Sequence, residues 1–191
     1  MNDIRSAIQI LNQGGIIIFP TDTAFGIGCR MDHKQSIGRL FKLRRRPEHQ
    51  ATPVLVSSLE MAQRYLLPVE PEVREKLIRP YWPGGLTIVL PCKKEKVLEL
   101  VRGNSETLGV RMPNSALCLE IIKKVGVPIL GPSANFHGGS TPFSFRDLDK
   151  ELVRHVDFVV ISGECSLRQA STVIDCSVAP WKILRQGGIK I

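Results

Sequence analysis

The sequence predicts one α/β (α+β) domain, residues 1–191, built on a twisted, mostly mixed sheet. Three observations predict it. Helix-period and strand-like runs alternate along the whole chain. No linker, internal repeat or low-complexity tract divides it. Its 191 residues, 43% hydrophobic and 23% charged, suffice for one well-buried core and are short for two.

The elements follow in order. Ile4, Ile8 and Leu11 recur at helical spacing and stop at Gly14-Gly15. Ile16–Phe19 is a continuous apolar run ended by Pro20, the pattern of a buried strand. Thr21-Asp22-Thr23 is a polar turn leading into the glycine-spaced Gly26-Ile27-Gly28. Ser36–Arg46 reads as a helix with Ile37, Leu40 and Phe41 inward, and Pro53–Val56 as a short strand. Leu59–Leu66 and Pro71–Ile78 are expected helices. Leu86–Leu90 and Thr107–Arg111 are expected strands, Ser115–Val125 a helix and Pro128–Leu130 a strand. Asp147–Val153 reads as helical, and Phe158–Ile161, Thr172–Asp175 and Lys182–Leu184 complete the strands.

Composition narrows the function. Lys plus Arg is 26 and Asp plus Glu is 18, so the net charge is +8. The excess is clustered, which favours anionic partners such as nucleotides, nucleic acid or phosphate. The longest stretch without Lys, Arg, Asp or Glu, Val125–Phe145, contains Pro128, Pro132 and Pro142. A transmembrane helix is excluded there. The N-terminus has no signal-peptide pattern, so the expected location is cytoplasmic with no membrane contact. Five cysteines without a CxxC, and four histidines without ligand spacing, spell neither a disulfide framework nor a metal site.

GxxxxGK[ST] and GxGxxG are both absent, so any nucleotide must be held in another way. Arg39, Lys42, Arg44, Arg45 and Arg46 crowd one helix end. Their mutual repulsion is relieved by a bound phosphate, for which guanidinium forks are suited. The same run reads equally as a solvated face near a helix C-terminus. Pro20-Thr21-Asp22-Thr23 follows a buried strand, where ligand crevices of α/β sheets lie; a simple N-cap turn is the plainer reading. Gly131-Pro132-Ser133-Ala134-Asn135, with Thr141 beyond, is a long uncharged loop of small residues. Its backbone is open to a ligand and its hydroxyls offer neutral hydrogen bonds. Ser171–Asp175 and Arg185-Gln186-Gly187-Gly188 are weak signals alone.

Their combination is specific. Pro20-Thr-Asp-Thr23, Arg44-Arg-Arg-Pro47, Pro83-Gly-Gly-Leu-Thr87, Val110-Arg-Met-Pro113, Pro132-Ser-Ala-Asn135, Ser171-Thr-Val-Ile-Asp175 and Leu184-Arg-Gln-Gly187 occur in this order. That series resembles the YrdC-like family of threonylcarbamoyl-AMP synthases, from about Ile4 to Ile191. The resemblance implies a twisted sheet with helices around a large basic cavity. It also implies a nucleotidyltransferase that joins L-threonine, bicarbonate and ATP, with Mg2+, into threonylcarbamoyl-AMP and pyrophosphate. The product feeds N6-threonylcarbamoyladenosine formation in tRNA through transfer proteins.

Carried over by position, the family pattern puts Thr23, Gly131, Arg111 and Ser171 at L-threonine, with Arg111 on its carboxylate. It puts Arg46, Thr52, Thr107, Ser133, Asn135, Thr141 and Arg185 at ATP, and Arg44 and Arg46 in the catalytic Lys-x-Arg positions. Arg44 replaces the family lysine, Thr52 an asparagine, Ser57 a histidine and Phe25 a tyrosine, and two extra residues sit between Arg46 and Pro53. The chain resembles the short, single-domain members. The alternative is a non-catalytic paralogue that binds RNA or ribosomal particles through the same basic cavity. The scarcity of Trp and Tyr disfavours recognition by base stacking.

Overall fold

A computed structural model describes residues 2–191. Helix α1 (Asn2–Asn12) buries Ala7 and Leu11 and ends at Gly14, whose φ of +80° suits glycine. Strand β1 (Ile17–Pro20) is buried along its whole length. Strand β2 (Phe25–Gly28) returns antiparallel to it. Thr21–Ala24 is therefore a hairpin turn and not a helix N-cap, and Gly26-Ile27-Gly28 is strand and not loop.

Helix α2 (Lys34–Leu43) is capped by His33, whose Nδ1 accepts from the Ser36 N–H. It stops three residues short of the expected Arg46, because Arg45 adopts a left-handed φ of +54°. Next come β3 (Val54–Leu55), α3 (Leu59–Gln63), α4 (Pro71–Val73), a π turn (Arg74–Ile78) and α5 (Arg79–Tyr81). Pro80 has no N–H for an ordinary α-helical bond, which accounts for the widened turn before it.

Strand β4 (Leu86–Pro91), α6 (Glu99–Arg102), β5 (Thr107–Arg111), α7 (Ala116–Val125) and β6 (Ile129–Leu130) form the middle of the chain. α7 starts at the Ser115 cap and stops at Gly126, φ +81°. α8 (Lys150–Arg154), β7 (Phe158–Val159), β8 (Thr172–Asp175) and β9 (Lys182–Arg185) complete it.

The strands make two mixed sheets, β2-β1-β7 and β6-β3-β5-β4-β8-β9, where one was expected. The two meet edge to edge. β2 lies beside the 128–134 segment through Leu130 N–H to Cys29 O (2.9 Å), Ile27 N–H to Pro132 O (2.9 Å) and Ala134 N–H to Phe25 O (2.8 Å). This approach needs glycine, since a Cβ on Gly28 would lie 2.0 Å from the Leu130 carbonyl oxygen. Sheet and junction together curl around a cavity. No helix among the described residues is long and apolar enough to cross a membrane.

Candidate active site

The cavity opens to solvent. Its charged lining is Arg44, Arg46, Arg111 and Arg185; its hydroxyls are Thr21, Thr23, Thr87, Ser133, Thr141 and Ser171. No carboxylate lines it.

The β1–β2 turn supplies one wall. Thr21 N–H and Oγ1 both donate to Ala24 O (3.1 and 2.7 Å), and Thr21 Oγ1 lies 3.0 Å from Thr23 Oγ1. Here the backbone reverses and two hydroxyls point inward. Arg111 ends β5, which lies in the middle of its sheet between β3 and β4. It is almost fully buried. Its Nε donates to Gly84 O (2.9 Å), one Nη donates to Thr23 Oγ1 (2.6 Å), and the other forms an ion pair with Asp22. Burial pushes the Arg111 pKa down, and Asp22 opposes that shift.

Arg185 reaches in from β9, an edge strand. The register passes from Val173 opposite Arg185 to Ile174 opposite Ile183, leaving Leu184 as an extra residue. Such a bulge re-aims the side chain beside it. Arg185 Nε donates to Ser171 O (3.0 Å) and its Nη to Ser171 Oγ (2.9 Å). Ser171 Oγ lies 2.9 Å from Thr87 Oγ1 on β4. Burial, and secondarily Arg111, lowers the Arg185 pKa.

The basic run divides at the end of α2. Arg39 pairs with Asp157, Lys42 is exposed, and Arg45 turns outward to Glu151 (3.2 Å). Only Arg44 and Arg46 line the cavity. Arg44 Nε donates to Asn135 O (3.0 Å), and burial, with Arg46 second, brings its pKa down to about 10. Arg46 Nε donates to Gln50 O (3.2 Å), and its Nη donates to Ala51 O. All four guanidinium groups stay charged at neutral pH.

Nine of the sequence-derived candidates thus meet in one cavity: Thr23, Arg44, Arg46, Arg111, Gly131, Ser133, Thr141, Ser171 and Arg185. Thr52, Thr107 and Asn135 do not line it. Thr52 is buried behind the loop that follows Arg46, its hydroxyl without a partner. Thr107 starts β5, about 13 Å from Arg111 by strand rise, and its hydroxyl meets Ser105 Oγ (3.1 Å). The Asn135 amide nitrogen donates to Gly139 O (2.8 Å) and Phe136 O (2.7 Å), folding the loop on itself. Asp22 and Thr87 lie in motifs the sequence offered, Pro20–Thr23 and Pro83–Thr87, but neither was given a role at the site. A lone hydroxyl between the apolar Leu86 and Ile88 was the available signal for Thr87.

The lining does not fit a metal held by the protein. Hard divalent cations take carboxylate oxygens, and here four cations face the space instead.

A curled α/β sheet thus surrounds a cavity lined by four arginines and, among the described residues, by no carboxylate. The chain belongs to the Sua5/YciO/YrdC family, described as telomere recombination, which matches residues 9–187. It is 32% identical to the threonylcarbamoyl-AMP synthase of Pyrococcus abyssi over 98% of this chain and 55% of that protein. It is 30% identical to the Bacillus subtilis threonylcarbamoyl-AMP synthase, over 97% and 54%. The chain therefore spans about half the length of these relatives. An uncharacterized Haemophilus influenzae protein is 30% identical over 96% of this chain and 88% of its own length. The crystal structure of P. abyssi Sua5 complexed with L-threonine superposes with a TM-score of 0.90 at 31% identity, covering 96% of this chain and 54% of that one.

Proposed function

We propose that this chain is an L-threonylcarbamoyladenylate synthase, a nucleotidyltransferase acting on L-threonine, bicarbonate and ATP. One observation carries the reading: Arg111 is held rigidly at the cavity with three of its five N–H groups bonded to the protein and two left over. A free pair on a planar fork suits a carboxylate. Its charge is already balanced by Asp22, so that end of the cavity suits a zwitterion. Arg44, Arg46 and Arg185 carry no such counter-ion and suit a polyphosphate.

In this reading threonine lies at Thr23, Gly131, Arg111 and Ser171, and its amine combines with bicarbonate to give a carbamate and water. A carbamate oxygen forms a bond to the α-phosphorus of ATP as the bond to pyrophosphate breaks. The chain needs no nucleophile of its own. It places two anions and balances charge on the phosphate and the departing pyrophosphate. Arg44 and Arg46 face that leaving charge, and Ser133, Thr141 and Arg185 hold the nucleotide; Thr52, Thr107 and Asn135, which lie outside the cavity lining, take no direct part. Mg2+ enters on the triphosphate, and no step is routed through it. A cytoplasmic location and delivery of the product to tRNA-modifying partners follow from this reading.

Two observations favour a second reading, a non-catalytic paralogue that binds RNA: the Haemophilus relative, matched over 88% of its length, is named uncharacterized, and Arg44 replaces the family lysine. Pyrophosphate release from ATP decides between them. Release that requires L-threonine, with serine and glycine as controls, supports the synthase. ATP binding without release supports the paralogue.

A further inference from the structure

We infer that Arg44 is a positioning residue: with Arg45 it clasps Asn135–His137 and so holds Ser133 and Thr141 at the cavity. Three contacts in register make the clasp. Arg44 Nε donates to Asn135 O at 3.0 Å. The Arg45 guanidinium lies over the Phe136 ring, 4.4 Å from its centroid. The His137 N–H donates to Arg44 O at 2.8 Å.

The local backbone permits this. α2 ends at Leu43, and the left-handed Arg45 sends successive side chains in different directions, Arg44 inward and Arg45 outward. The loop, in turn, has little else to fix it on this side. Its internal bonds run from Asn135 to Phe136 and Gly139 and from the Gly139 N–H to Phe136 O (2.9 Å). They fold residues 135–139 on themselves, while Phe136 packs against the core and the Asn135 N–H donates to Ser133 O (2.9 Å). The 131–134 side is tied to β2, and the far side returns to it through Phe25 N–H to Pro142 O (2.9 Å). The clasp supplies the hydrogen-bonded tie between these two, beside the packing of Phe136 on the core.

The guanidinium matters chemically. The bond to Asn135 leaves from Nε, part-way along the stem. Lysine has a methylene at that position, and its only donors lie one atom further out. A lysine here keeps the charge and loses the side-chain contact of the clasp. The effect on turnover rests on the synthase reading; the effect on the loop does not.

The test is amide hydrogen exchange on the ligand-free protein, paired with steady-state kinetics. Arg44→Lys should speed exchange across residues 136–141 about tenfold or more, the His137 amide included, with β1, β4 and β5 unchanged. Phe136→Leu, outside the cavity lining, should loosen the same segment to a smaller degree. In kinetics, Phe136→Leu, outside the catalytic positions, should raise the KM for ATP severalfold with kcat within about twofold, the mark of lost binding without lost chemistry. Unchanged exchange at 136–141 in Arg44→Lys would overturn the inference, whatever happens to turnover. Faster exchange spread evenly over the strands would also overturn it, making Arg44 a general support. If the parent protein releases no pyrophosphate, the synthase reading fails and exchange alone decides the clasp.

Discussion

Asp22 and Arg111, 89 residues apart, form a buried ion pair behind the cavity wall, their side chains 2% and 6% exposed. The pair joins the β1–β2 turn of one sheet to the end of β5 in the other. Asp22 Oδ2 has no partner among the described atoms, so Arg111 is its one ionic contact. Breaking such a pair from one side leaves a buried charge uncompensated. Asp22→Asn is expected to lower stability by about 3–5 kcal/mol, read from urea unfolding. Adding Arg111→Met should recover part of that loss. A double variant as unstable as the sum of the singles would mean that the two residues do not act on each other.

Arg111→Lys separates binding from folding better than truncation, because it keeps a charge beside Asp22. It loses the Gly84 contact and the planar fork. The threonine requirement should rise about 10- to 100-fold, with a much smaller change for ATP. Equal effects on both substrates in initial-rate kinetics would remove Arg111 from the carboxylate.

Thr87, Ser171 and Arg185 form a chain across β4, β8 and β9. Thr87→Val removes one hydroxyl at constant shape and leaves Ser171 with Arg185 alone. It should cost about 1 kcal/mol in thermal unfolding. The threonine requirement should rise with it, as Ser171 gains freedom to turn away from the cavity.

The buried thiols give a pH prediction. Burial pushes Cys29, Cys118 and Cys176 up to about 12 and Cys165 up to about 11, against an ordinary value of 9.0. The unfolded chain loses these protons near pH 9 and the folded chain only near 11–12. Above pH 9 the folded state holds more protons, so stability falls. These groups' contribution is fully present below pH 9 and is lost as pH rises through 11–12. Melting temperatures between pH 7 and 11 should bend downward near 9, less so in Cys118→Ala.

Much of the fold was legible because buried strands and capped helices carry local signals. Ile16–Phe19 is apolar without a break, and Gly126 stops α7. β2 was not legible, since Phe25-Gly-Ile-Gly28 has glycines where strand propensity asks for side chains. Their reason is tertiary: the 128–134 backbone occupies the space of a side chain at Gly28. The end of α2 was hidden as well. The left-handed φ at Arg45 falls on a residue type that does not signal it, where glycine or asparagine would. The motif residues were legible as a set, while the Asp22–Arg111 pair needed two sheets brought together in space.

The most direct measurement supplies 13C-bicarbonate, L-threonine and ATP with magnesium, and follows the adenylate products by mass spectrometry. The account predicts a threonine-dependent adenylate that carries one 13C and forms together with pyrophosphate. Tight ATP binding with no labelled adenylate, under conditions where the P. abyssi protein forms it, would contradict the account.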